Sequence, residues 1–108
     1  MDAAYFRARI ECEQQELRML SDAGRKARAP VELDQQSVGR LSRMDAIQQQ
    51  SMDLAREERR KARLAMLTAA LHHLDDYEFG YCLVCGEDIS RQRLEIDPAV
   101  TLCIDCQR

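Results

Sequence analysis

Near the start of the chain, Ala3, Phe6, Ile10, Glu13, Leu17, Leu20, Gly24 and Ala27 recur with alternating spacings of three and four, and Glu13 is the only charged member of the series. Side chains at that spacing share one face of a helix, and so narrow a stripe fits a single partner helix better than a broad core. No proline interrupts Ala3 to Ala27, and Asp2 stands where its carboxylate can cap the first turn. Cys12 falls beside this seam and reads as a small buried or half-buried residue.

The periodicity stops between Arg28 and Gln36. Pro30 cannot continue a helix, and Asp34 or Ser37 is placed to cap a new one. The predicted second helix runs to about Asp76, on the order of 60 Å long, a length usual for a coiled-coil arm. In an antiparallel hairpin, facing residues have a nearly constant sum of positions. A sum of 64 opposes Leu20 to Met44, Leu17 to Ile47, Ile10 to Leu54 and Phe6 to the aliphatic part of Glu58, with Glu13 against Ser51 as a polar layer. The alternative is a looser hairpin in which Val38, Leu41, Met52 and Ala55 take part. Beyond Ala62 the second helix outruns the first yet carries Leu64, Leu67, Leu71 and Leu74 on one face. Something must cover that face, and the segment that follows is the candidate. The mixed charges from Arg56 to Arg63 read as a solvated helical face.

That following segment holds four of the five cysteines, as Cys82-x2-Cys85, seventeen residues, then Cys103-x2-Cys106. Two such turns aim four sulfurs at one point, the pattern of a four-thiolate structural zinc site with one Zn²⁺ per chain. Gly86, directly after the first pair, permits the positive φ that such a turn often needs. Two disulfides, a redox dithiol and a catalytic zinc fit less well. The sequence has neither a secretory leader nor an apolar span, so a reducing cytoplasm is expected and no membrane association. There is no βαβ pattern for a thioredoxin-type pair, and four cysteines close the metal's shell. His72 and His73 read as surface or packing residues at the end of the second helix.

Composition narrows the function. Charged residues make up 32% and aromatics 5%, which suits long helices more than a large globular core. The net charge is -3, and from Cys82 onward three arginines face five carboxylates. An acidic finger is a poor ligand for phosphates, so direct DNA reading is not expected. No nucleophile and base pair is visible, and no enzyme is predicted.

The residues Phe79-Gly80-Tyr81-Cys82, Cys85-Gly86, Ile89, Arg93-Leu94-Glu95, Pro98 and Leu102-Cys103-Ile104-Asp105-Cys106 resemble those of the DksA/TraR zinc-finger proteins. The resemblance implies a non-enzymatic transcription regulator that binds RNA polymerase, slides its coiled-coil arm into the secondary channel and acts through acids at the tip, often together with the alarmone ppGpp at the polymerase interface. Glu32 and Asp34 are the acids of the turn, and Asp34 can cap the second helix as well, a contribution of about 1 kcal/mol. A carboxylate on a rigid arm can be delivered to a metal or basic loop inside a partner at little ordering cost. Where the longest members carry Asp-x-x-Asp-x-Ala, this sequence has Asp34-Gln35-Gln36-Ser37-Val38-Gly39; Asp45-Ala46 is a second possible equivalent. Relative to those members, an N-terminal extension and a C-terminal helix are expected to be missing. The reading is a mainly α protein: an antiparallel coiled-coil hairpin over residues 1–76 with its tip at about 28–37, then a C4 zinc finger over residues 77–108. The alternatives are a zinc-ribbon nucleic-acid binder and a helical protein-interaction adaptor.

Overall fold

Alanine, leucine, arginine, glutamate and glutamine dominate the first helical stretch, all good helix formers, and Ala3–Ala23 folds as helix α1. The computed structural model describes residues 2–28 and 40–107. Asp2 does not cap α1 with its side chain. Its carboxylate instead accepts from Arg91 Nη1 at 2.9 Å, while its backbone oxygen takes the Phe6 N–H at 3.1 Å. The helix does not run unbroken to Ala27: it stops at Gly24, the poorest helix former in the stretch, and a single further turn, α2, spans Arg25–Arg28. Residues 29–39, which hold Glu32, Asp34 and nearly all of the predicted tip, lie outside the described residues.

The long helix α3 spans Arg40–Asp75 and runs antiparallel to α1. Its end is closed by two bonds, Glu78 N–H to the His73 oxygen at 2.8 Å and Tyr77 N–H to the Leu74 oxygen at 3.3 Å. This closure places Tyr77 in the left-handed region at φ 60°, a position glycine usually occupies.

The packing register differs from the one expected. Arg7 pairs with Asp75, Glu13 with Arg63, Gln14 with Thr68 and Ser21 with Glu57. Glu13 thus reaches a residue about three turns further along α3 than Ser51. Met44, Ile47, Leu54 and Leu20, paired in the expected register, are all exposed. The physical reason is a third body. Phe6 and Ile10 bury completely in one cluster with Leu67, Ala70 and Leu74 of α3 and with Phe79, Ile89, Leu94 and Ala99 of the finger. Matching two helices to each other omits that finger surface and the apolar area it buries. The Leu67–Leu74 face is therefore covered, as expected, by the finger, but α1 shares the task. Cys12 is exposed rather than buried.

The mid-arm charge run is not uniformly solvated. Glu57 is buried and accepts from Ser21 Oγ at 2.7 Å and Arg60 Nη1 at 3.1 Å, with Arg28 Nη2 at 3.5 Å. Glu58, Arg59 and Lys61 do face solvent.

Candidate metal centre and its attachment to the arm

The first Cys-x2-Cys turn is folded by its own backbone. Gly86 N–H donates to the Cys82 oxygen at 2.9 Å, Cys82 N–H to the Glu87 oxygen at 2.8 Å and Ile89 N–H to the Gly80 oxygen at 2.7 Å. Gly80 and Gly86 take φ of 90° and 75°, which only glycine adopts without strain. The second turn closes with Gln107 N–H on the Cys103 oxygen at 3.1 Å, and Leu83 N–H on the Thr101 oxygen at 2.9 Å ties the two turns together. Between them lies α4, Arg91–Ile96, whose first turn is capped by Ser90 Oγ accepting from Arg93 N–H at 3.3 Å. Arg93 in turn donates Nε to the Leu102 oxygen at 2.9 Å, holding the second turn against the helix.

These constraints bring the sulfurs of Cys82, Cys85, Cys103 and Cys106 within 4.8 Å of one another, a spacing that could hold one metal ion. Neither His72 nor His73 belongs to this group among the described residues; His73 Nδ1 instead lies 3.7 Å from Glu78. The donor set fits a divalent soft-to-borderline cation for an electrostatic reason. Backbone N–H groups of Cys103, Cys85 and Val84 pull the Cys82 thiol down to about 6, so a thiolate is favoured there. Hydrogen bonding among the crowded sulfurs, first with Cys103 and then with Cys82 and Cys85, pushes Cys106 up to about 12. Four sulfurs this close resist ionising together, and a cation at their centre removes the conflict.

The finger is fastened to the arm along its α4 side. Tyr5 Oη donates to Glu95 at 2.6 Å, and Arg9 reaches the same carboxylate at 3.3 Å. Arg91 bonds Asp2, and its guanidinium stacks 5.5 Å from the centres of both the Tyr5 and Phe6 rings. Phe6 and Phe79 rings meet at 5.3 Å. On the other side Arg63 of α3 bridges Glu13 of α1 and Asp97 of the finger, donating Nη2 to Asp97 at 2.9 Å. Asp97 also accepts from Ala99 N–H at 3.0 Å, so one carboxylate orders the finger chain and anchors it to the arm. Arg63, expected on a solvated face, is instead half-buried in this bridge. Its spacing from Leu67, Ala70 and Leu74 marks the buried face, and that was the available signal.

Of the tip acids, Asp45 is not brought to this centre. Glu32 and Asp34 lie outside the described residues, and Asp45 is exposed on the first turns of α3. No described helix is long and apolar enough to cross a membrane.

Comparison with known proteins agrees with this geometry. Residues 77–108 match the prokaryotic dksA/traR C4-type zinc finger. Over 57 residues the chain is 42% identical to the RNA polymerase-binding transcription factor DksA of Haemophilus influenzae, covering 53% of this chain and 39% of that protein. The corresponding Escherichia coli factor is 37% identical over 57 residues, 38% of its length. The match thus spans about two fifths of these relatives' length. The whole fold is similar to that of transcription factor DksA2 from Pseudomonas aeruginosa, with a TM-score of 0.81 and 26% identity over 97% of this chain and 79% of that one.

Proposed function

Because residues 77–108 match the prokaryotic dksA/traR C4-type zinc finger, we propose that the chain is a DksA/TraR-family protein, a non-enzymatic transcription regulator that binds RNA polymerase. The observation that carries this reading is the agreement of the whole helical arm and docked finger with a DksA2 fold, over 97% of the chain. In this reading Cys82, Cys85, Cys103 and Cys106 hold one structural zinc ion per molecule, and the closed four-sulfur shell leaves no position for a reacting water. The metal would supply rigidity, fixing residues 77–108 as the base from which the arm of residues 1–76 projects. The proposal extends to the finer implications of the family: entry of the arm into the secondary channel, action through Asp34, Glu32 or Asp45, an alarmone contribution at the polymerase interface, and cytoplasmic residence.

The tip is tested separately from the base. Asp34→Asn removes charge while keeping an oxygen able to cap a helix, so melting should change little and polymerase binding should persist within a few-fold. Promoter-complex lifetime and run-off transcription, with and without ppGpp, should lose their response. Asp45→Asn is the parallel variant for the other alignment. If both single variants and the double variant regulate as the parent does, the tip-acid mechanism is wrong.

A further inference from the structure

The finger carries a groove of about 720 Å³ between α4 and the second cysteine turn; Cys85, Cys103 and Cys106 of the candidate metal centre form part of its wall. Its apolar lining comes from Ile96, Ile104 and the half-buried Val100. Ile96 is 85% exposed and Ile104 62%, although Leu94, two residues before Ile96, is almost fully buried. Four carboxylates also line it. Asp97 is committed to Arg63, whereas Glu87, Asp88 and Asp105 form no ion pair among the described residues. Among the described residues the one cationic side chain in the lining, Arg93, spends its Nε on the Leu102 oxygen.

That combination selects against phosphates and nucleic acid, which the carboxylates repel, and the volume suits a run of side chains rather than a single ion. Resting on the polymerase reading above, we propose that this groove is a docking site for a protein segment of the polymerase that presents an aliphatic side chain flanked by lysine or arginine. The aliphatic group covers Ile96, Ile104 and Val100, and the flanking cations meet Glu87, Asp88 and Asp105. Charge complementarity of this kind sets orientation and encounter rate, and the buried aliphatic contact holds the complex. The groove would then give affinity at the base, independently of any chemistry at the tip.

The test measures equilibrium binding of the full zinc-loaded chain to Escherichia coli core RNA polymerase. Ile96→Ser and the double reversal Glu87→Lys/Asp105→Lys should each weaken binding about tenfold or more, with zinc content and helical ellipticity unchanged. Binding of the parent should fall as salt is raised, and the double reversal should lose that dependence. Val84→Ser removes an apolar side chain that is 72% exposed on the same finger but outside the groove, and should bind as the parent does. If the charge reversal disturbs metal content, Ile96→Ser against Val84→Ser carries the test alone. Parent-like binding by Ile96→Ser, or an equal loss in Val84→Ser, overturns the groove assignment and leaves the polymerase reading standing. A parent protein that does not bind polymerase overturns both.

Discussion

Glu57 is a charged residue on a buried face, held there by the Ser21 hydroxyl, Arg60 and Arg28. The hydroxyl bond first, and then the two guanidinium groups against the opposing effect of burial, hold its carboxyl below the usual carboxylate range. A depressed carboxylate stabilises the fold above its unfolded value and loses that contribution as pH falls through the folded one. The stability difference between the parent and Glu57→Gln should therefore be full above about pH 5 and shrink on acidification, as read by thermal melts across that range. A difference that stays constant down to the acid limit would remove the electrostatic account. At this scale the sequence was unevenly legible. The four cysteines announce a common point through their spacing alone, because each short turn can aim two sulfurs only one way. Glu57 and Arg63 sit in a stretch so rich in charge that composition masked their periodicity.

Helix ends follow local chemistry closely, and α3 ends with an unusual residue. Tyr77 holds φ 60° at the closing position and is 92% exposed, so its side chain gains little from packing while its Cβ crowds the backbone. Tyr77→Gly should stabilise the protein by about 1 kcal/mol and raise the melting temperature by roughly 4–8 °C. A lower melting temperature would mean that the ring itself contributes to the fold. The existence and direction of both long helices were legible from period and proline placement, and the end of α3 fell within one residue of expectation. The register was not. Two apolar stripes can be slid against each other in several ways, and nothing in either stripe reveals that Phe6 and Ile10 also meet Phe79, Ile89 and Leu94 from elsewhere in the chain. The break at Gly24, by contrast, falls on the poorest helix former of the stretch, a local signal that the three-four periodicity running on to Ala27 obscured.

For the molecule as a whole, arm and finger share one buried cluster, and the described residues extend 62 Å in the longest dimension. Fingers this small generally depend on a metal for folding, so stripping the proposed zinc should uncover Phe6, Ile10, Leu67 and Leu74 together. Chelation, or Cys103→Ser/Cys106→Ser, should lower helical ellipticity as well as the melting temperature; ellipticity equal to that of the zinc-loaded protein would mean that the arm stands without the finger. The account's central claim concerns the partner, and one binding measurement addresses it most directly: titration of the labelled, zinc-loaded chain with core RNA polymerase and, in parallel, with duplex DNA. The account predicts saturable one-to-one binding to polymerase, loss of that binding in the Cys103→Ser/Cys106→Ser variant, and no comparable affinity for DNA. Tight DNA binding with a steep salt dependence and no polymerase complex would contradict it.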